Sequence, residues 1–290
     1  THRSRTAMSS SNITLSSNVL GTIGTVLWCI QLIPQIWHNW RRKNTDGFPA
    51  AMMFLWACCS VPMGAYLILQ EVNIPLQIQP QIFGFFALVS WGQVLYYHHH
   101  YSRTRAVLVC SGTIVLFGGL EALLILTLRI PYNSGVKWPD IVVGVVATLF
   151  LTAGLLPPYY EMWKRDGRVI GFNWVFLSID TLGGLFSLFA LGVINSSPEA
   201  STGVMYILVV VLESGIYISH IIWRIRYRKL RKEAKTRGMS IEDLLDEHKA
   251  QDTHDLEKGV ILGHEKAENE TRTDTKRTSD DERIVPIEKS

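Results

Sequence analysis

The sequence predicts an all-α membrane protein with seven transmembrane helices, arranged as two parallel three-helix repeats joined by an inverting linker helix (3+1+3). Long apolar blocks, basic joints on alternate sides and similarity between the first and fifth blocks lead to this prediction. The chain has 290 residues, of which 48% are hydrophobic. Residues 19–223 hold the apolar blocks, whereas residues 224–290 are almost wholly polar. A soluble protein would instead disperse its apolar residues.

The apolar blocks have the length of membrane-spanning helices. A helix needs about 20 mostly apolar residues to cross about 30 Å of hydrocarbon. The alternation of a lipid-facing β-barrel is absent, so the blocks are interpreted as helices. The predicted spans are 19–40, 49–70, 76–98, 106–128, 139–163, 172–195 and 203–223. Residues 1–18 are predicted to be a lumenal segment, in which Asn12 begins a glycosylation sequon.

Basic residues orient the predicted bundle. They cluster in the joints after helices 1, 3 and 5 and directly after helix 7. The joints on the opposite side contain only Arg129 and Lys137. Because positive residues stay in the cytosol, we expect a cytosolic C-terminus and, with an odd number of spans, a lumenal N-terminus.

The region around helix 5 resembles the region around helix 1. A shift of 123 residues superposes Gly21 on Gly144 and Pro34 on Pro157, and one inserted residue later Phe48 meets Phe172. The two predicted repeats are residues 19–98 and 139–223, with the linker helix at 106–128. Because proline lacks an N–H group and disturbs the preceding turn, Pro34 and Pro157 are predicted hinges. The alternative is that they only adjust packing.

The residues after helix 1 resemble the PQ-loop motif. Pro34-Gln35 precedes Trp40-Arg41-Arg42 and Asp46-Gly47-Phe48, whereas the second copy has Pro157-Pro158. The resemblance covers residues 19–223 and extends to the distantly related SWEET sugar transporters. The PQ-loop family, which this stretch resembles, includes the lysosomal cystine exporter and vacuolar cationic amino acid exporters. It implies proton-coupled amino acid export from an acidic organelle, and hence a vacuolar or lysosomal membrane.

Three carboxylates fall within predicted spans, where a charge costs at least ~2.5–3.5 kcal/mol on insertion scales. Asp180 shares a helix face with the small residues Gly183 and Gly184, and this stretch resembles the proton-coupling segment of the cystine exporter. Asp180 and Glu213 are the predicted proton-coupling residues. A hydrogen-bonded structural role is the alternative for both. Glu121 lies on the linker helix, which favours a structural role there.

Polar side chains on the predicted spans suggest a substrate pathway. Gln31 and Gln35 share one face of helix 1, for which a role in helix packing is the alternative. The further candidates are Gln81, Asn173 and Tyr217. The cationic amino acid exporters have, by resemblance, an acidic residue in helix 2. Residues 55–62 contain none. The expected substrate is therefore an amino acid or a related small polar metabolite, moving together with protons.

Other classes of protein fit the sequence less well. The four cysteines lie inside apolar blocks, so neither a metal site, a cofactor site nor a disulfide framework is predicted. The sequence offers no nucleophile–base pair, so an enzyme is not predicted, and no nucleic-acid partner is expected. A seven-helix nutrient-sensing receptor or scaffold remains the alternative. Residues 224–290 are predicted to be a largely disordered cytosolic tail, available to cytosolic partners.

Overall fold

The computed structural model describes residues 18–72, 74–194, 200–241, 243–247, 250–251 and 258. These residues form helices without a β-strand, which confirms the all-α prediction for the described chain. The predicted glycosylation residue Asn12 lies outside the described residues. The helices are α1 (Asn18–Arg42), α2 (Ala50–Leu69), α3 (Ile74–Tyr97), α4 (Arg103–Asn133), α5 (Trp138–Lys164), α6 (Trp174–Ile194), α7 (Ala200–Arg226) and α8 (Arg228–Arg237).

Within the described residues, five helices are long and apolar enough to cross a membrane. They are α1, α2, α4, α5 and the Gly203–Arg226 part of α7. The chain is therefore an integral membrane protein. Helix α3 carries four glutamines and is not among these five, and α6 contributes the apolar stretch Trp174–Ala190. The 3+1+3 arrangement of seven spans accordingly stays a prediction.

Helices α1 and α5 are each interrupted once. The turn at Gln31 separates the first part of α1 from Leu32–Arg42, and Leu155 separates Trp138–Gly154 from Leu156–Lys164. Pro34 and Pro157 lie in the first turns of the resumed segments, where a missing N–H removes no helical hydrogen bond. The breaks therefore occur just before the two predicted hinge prolines. The hinge role itself concerns motion and stays a prediction.

Two helix pairs make equivalent contacts, α1 with α6 and α5 with α2. The Trp28 indole Nε1 donates to the Asp180 carbonyl oxygen at 3.1 Å, and the Trp56 Nε1 donates to the Leu151 carbonyl oxygen at 3.2 Å. The repeat offset relates Trp28 to Leu151, and the offset after the inserted residue relates Trp56 to Asp180. Both bonds therefore join the same two repeat positions. In the first bond the indole is at the α1/α5 position and the carbonyl at the α2/α6 position, and in the second bond these roles are reversed.

Small residues bring these helices close together. A Cβ atom on Gly183 would overlap the Trp28 indole, and one on Gly154 would overlap the Trp56 indole. Small residues at helix interfaces allow this close approach inside a membrane, where packing rather than water exclusion drives association. Gly183 and Gly154 are therefore needed to seat the two tryptophans.

Helix α4 presents most of its surface to the outside. Its apolar residues Leu108, Val115 and Ile130 are exposed, as expected for contact with lipid. Its buried residues are Ala106 and Glu121. The Glu121 carboxylate accepts a hydrogen bond from Gln81 of α3. A Cβ on Gly64 of α2 would overlap that carboxylate. Glu121 thus attaches α4 to α2 and α3.

The described residues from Ile225 onward form a second compact unit, and the core described above belongs to the unit that precedes it. Within the second unit, α8 ends at Gly238, whose φ of +67° suits glycine. The Ser240 hydroxyl then accepts a hydrogen bond from the Asp243 backbone N–H at 3.1 Å, as an N-cap does. Arg237 pairs with Glu233 at 2.6 Å.

Replacing Gly183 with alanine is expected to destabilise the protein. The added methyl group would push against the Trp28 indole, and overpacking of this kind costs about 1–3 kcal/mol. Gly118 on α4 provides a matched control, because a Cβ there meets no neighbouring atom within 4 Å. Thermal unfolding of the purified protein should show a lower midpoint for Gly183→Ala and an unchanged or higher one for Gly118→Ala. Equal midpoints would refute the packing role of Gly183.

Candidate functional site

Two adjacent chambers lie between the helices of the core. The inner chamber has a volume of about 40 Å³ and the outer one about 220 Å³. They share the lining residues Trp28, Met63, Gln79 and Pro80, so they lie next to each other, and we call the two together the cavity. The inner chamber is further lined by Gln31, Trp56, Cys59, Ser60, Phe83, Leu151, Asp180 and Val209. The outer chamber is further lined by Tyr66, Leu67, Gln70, Val72, Leu76, Gly144, Thr148, Met205 and Tyr206.

The cavity extends away from the basic joints. The outer chamber reaches Gln70 and Val72 at the end of α2, together with Gly144 and Tyr206 in the early turns of α5 and α7. We call this side of the molecule, with the loops at 70–72 and 134–137, the far side. The side with the basic loops at 43–49, 98–102 and 165–173 is the basic side. The cavity thus approaches the far side of the molecule.

Aromatic rings fill the space on the basic side of the inner chamber. Phe48 and Phe172 meet edge to face with ring centroids 5.3 Å apart, Phe172 stacks on Phe176 at 6.4 Å, and Phe176 contacts Trp56 at 6.1 Å. All four rings are buried. The chain therefore separates the cavity from the basic side by a column of aromatic packing.

The two loops on the basic side also touch through their backbones. Gly47 and Gly171 have φ angles of +77° and +84°, in the left-handed region that favours glycine. A Cβ on Gly47 would come within 3 Å of the Ile170 backbone, and one on Gly171 would do the same to the Asp46 backbone. The repeat offset relates Gly47 to Gly171 and Asp46 to Ile170. The two loops therefore make one mutual contact.

Gln35 of the Pro-Gln pair forms hydrogen bonds across this contact, which closes the basic side of the core. Its side chain is completely buried. The Gln35 Nε2 donates to the Asn39 Oδ1 at 2.8 Å and to the Gly171 carbonyl at 2.9 Å, while its Oε1 accepts from the Asn173 backbone N–H at 2.7 Å. The equivalent residue in the second copy is Pro158, whose side chain has no polar atom. Only the α1 side therefore has this polar link, which we call the Gln35 latch.

The predicted pathway residues occupy different places. Gln31 lines the inner chamber, and its Oε1 atom is buried without a hydrogen-bond partner. Gln35 lies in the latch. Asn173 caps α6 by accepting from the Val175 N–H at 2.8 Å, and its Nδ2 donates to the Pro34 carbonyl at 3.2 Å. Gln35 and Asn173 thus help to hold the basic side closed in this conformation.

The other two predicted pathway residues lie in separate contacts. Gln81 binds Glu121 between α3 and α4. The Tyr217 hydroxyl forms a 2.9 Å hydrogen bond with the Ser178 hydroxyl, and its ring packs on Trp174. Gln79, which lines both chambers, lies two residues from Gln81 on the same helix. A single sequence does not show which of two nearby glutamines faces a cavity.

The two predicted proton-coupling residues come together. Asp180 and Glu213 are both buried, and the Thr181 hydroxyl donates to the Glu213 Oε2 at 2.6 Å. The Asp180 Oδ2 and the Glu213 Oε1 are buried without a hydrogen-bond partner, and the two carboxyl groups are close enough to interact electrostatically. Two buried carboxylates repel each other when both are charged. We call them the acid pair.

The surroundings of the acid pair contain neutral polar groups. The phenols of Tyr159 and Tyr217 lie close to Glu213. The Tyr159 hydroxyl donates to the Leu212 carbonyl. Among the ion pairs of the described residues, none includes Asp180 or Glu213.

Comparison with known proteins agrees with this architecture. A family model described as the PQ loop repeat matches residues 16–76. An uncharacterized membrane protein of Saccharomyces cerevisiae is 43% identical over 218 residues, which cover 75% of this chain and 70% of the yeast protein. An uncharacterized protein of Schizosaccharomyces pombe is 35% identical over 210 residues, covering 72% of this chain and 73% of that protein.

These features define a helical integral membrane protein that carries a PQ-loop repeat. The chain belongs to the PQ-loop family, as its sequence predicted. The family is transporter-like, which is consistent with a core that contains a cavity and a buried acid pair.

Replacing Gln35 with leucine is expected to loosen the basic side. The change leaves the Gly171 carbonyl and the Asn173 N–H without their partner, at a cost of about 1–3 kcal/mol. Amide hydrogen exchange in residues 171–177 should become faster by roughly one order of magnitude or more. Gln70→Leu is the control, because Gln70 binds Asp140 near the far side. Unchanged exchange in Gln35→Leu would show that the latch does not hold the loop.

The pKa of the Asp46 carboxyl, in the first basic-side loop, is expected to depend on the neighbouring side chains. The Asn44 amide and then His98, whose Nδ1 lies 3.0 Å from the Asp46 Oδ1, lower the pKa of the Asp46 carboxyl. A lowered pKa stabilises the fold above the unfolded-state pKa, and that contribution is lost as the pH falls through the folded-state value. In His98→Ala the pKa of Asp46, followed by carboxyl NMR, should rise toward the ordinary value. An unchanged pKa of Asp46 in His98→Ala would show that His98 does not stabilise the negative charge of Asp46.

Proposed function

We propose that this protein is a proton-coupled carrier that exports an amino acid or a related small polar metabolite from an acidic organelle to the cytosol. The observation that carries the proposal is the acid pair, placed with Asp180 at the inner end of a cavity that extends toward one side. A cavity that approaches one side and is closed on the other is one of the two states that alternating access requires.

The equivalent contacts of the helix pairs support a 3+1+3 arrangement. The α1–α6 and α5–α2 interfaces repeat the same positions, as do the two basic-side loops, and this is what two parallel repeats related by an axis along the membrane normal would produce. In this arrangement α4 is the inverting linker. The breaks before Pro34 and Pro157 then lie at corresponding points of the two halves and serve as hinges.

The distribution of basic residues supports an orientation. The basic loops face the cytosol and the far side faces the lumen. The conformation described here is then open toward the lumen. Protons from an acidic vacuole or lysosome would reach the acid pair through the cavity, and the Gln35 latch would have to open before release to the cytosol. The organelle itself rests on the family resemblance.

Transport in liposomes tests the proposal. The purified protein is reconstituted, and uptake of radiolabelled amino acids and small amines is measured with and without an inward proton gradient. We expect gradient-driven accumulation of at least one substrate. Asp180→Asn and Glu213→Gln should each reduce it by about tenfold or more, because each removes a carboxyl group that can hold the coupled proton.

Glu121→Gln is the matched control for this assay. It removes a buried carboxylate outside the cavity and keeps a hydrogen-bonding partner for Gln81. This variant should retain gradient-driven accumulation. Uptake that keeps its proton dependence in both acid-pair variants would exclude the pair from coupling. Absence of transport for every substrate in folded protein would contradict the carrier function and favour the receptor or scaffold hypothesis.

A further inference from the structure

The inner chamber presents two buried oxygen atoms that lack a donor. Asp180 and Gln31 are each only 3% exposed, and both line this chamber. The Asp180 Oδ2 and the Gln31 Oε1 have no hydrogen-bond donor. A buried acceptor without a partner costs free energy, so this pair of atoms favours a ligand that brings N–H donors or positive charge.

Two indole rings flank these acceptors. Trp28 and Trp56 line the same chamber, and the Nε1 atom of each already donates to a backbone carbonyl. These two hydrogen bonds fix the rings in place and leave no indole N–H for a ligand. The indoles therefore contribute ring atoms rather than a free N–H to the chamber wall, and a tryptophan ring attracts cations more strongly than other aromatic side chains do.

The described residues that line the cavity include no cationic side chain to pair with a negative group. Among the described residues that line the two chambers there is no lysine, arginine or histidine, and Asp180 is the only charged type. A zwitterionic amino acid would have to leave its carboxylate without a cation and in the field of Asp180. In a membrane interior this arrangement is strongly unfavourable.

The dimensions assign different roles to the two chambers. The inner one, at about 40 Å³, has room for a small head group, whereas the outer one, at about 220 Å³, has room for a larger body. The outer chamber contains apolar side chains such as Met63, Leu76 and Met205 together with neutral polar groups. A ligand with a compact charged head and an apolar or neutral body would match both parts.

We propose that the cavity binds an organic monocation, with its cationic nitrogen beside Asp180 and Gln31 and against the indoles of Trp28 and Trp56, and that it discriminates against zwitterions. This inference rests on the proposed carrier function only for movement of the ligand, because binding itself needs no proton gradient. It narrows the substrate class from amino acids in general to amines and ammonium compounds without a carboxylate.

Isothermal titration calorimetry on the full chain in lipid nanodiscs tests the inference with three matched probes. Choline carries a quaternary ammonium group, glycine betaine adds a carboxylate, and dimethylbutanol replaces the nitrogen of choline with carbon. Choline should bind about ten times more tightly than either of the others, since only choline satisfies Asp180 without introducing a negative charge.

Variants locate the binding site. Asp180→Asn should reduce the affinity for choline to that for dimethylbutanol, while Glu121→Gln, which changes a buried acid outside the cavity, should leave it unchanged. If Asp180→Asn does not fold, the three probes on the unmodified chain still decide the question. Betaine binding as tightly as choline, no binding of choline, or full choline affinity in folded Asp180→Asn would each overturn the inference.

The calorimetric result is separable from the transport result. Proton-driven uptake of an amino acid, together with equal affinities for choline and betaine, would leave the carrier function standing and remove the cation preference. Selective choline binding without transport of any substrate would support the cation preference and contradict the carrier function.

Discussion

The contact between Trp28 of α1 and the backbone of α6 sets the arrangement on which the rest of the core depends. It combines an indole hydrogen bond to the Asp180 carbonyl with close approach over Gly183. Inside a membrane, helices gain little from excluding water, so packing and hydrogen bonds have to hold them together. This one contact therefore fixes the position of Asp180 at the cavity and the position of a tryptophan beside it.

The same contact recurs between α5 and α2 with the indole on the other helix. There the break at Leu155, whose N–H bonds to the Thr152 carbonyl at 3.0 Å, leaves the Leu151 carbonyl available to Trp56. An interrupted helix thus supplies a hydrogen-bond acceptor that a regular helix would have used internally. The duplication provides matching interfaces, but some equivalent positions of the two repeats hold different residues. Gln35 corresponds to Pro158 and Trp56 corresponds to Asp180, which makes the two halves chemically different. The latch and the acid pair both arise from these differences.

The closure on the basic side and the cavity on the far side depend on one another. The aromatic column from Phe48 to Trp56 ends at the inner chamber, so the residues that close one side also form the floor of the cavity. Gln35 and Asn173 connect that closure to α1 and α6, the helices that carry Gln31 and Asp180. A movement that opens the basic loops would therefore act on the same two helices that carry Gln31 and Asp180. This mechanical connection is what a carrier needs and a passive pore does not.

The sequence by itself determined the all-helical membrane class, the family and the two buried acids, because apolar length, motif spacing and the rarity of intramembrane charge are properties of the chain order. It also located the proline-associated breaks to within a few residues. Only the tertiary structure decided that Asp180 and Glu213 form a pair, that Gln35 holds a closure while Gln31 and Gln79 line the cavity, and that Trp28 and Trp56 flank Asp180. These facts depend on which helix faces which neighbour, and helices that are apolar on nearly every side give no periodic signal for that choice.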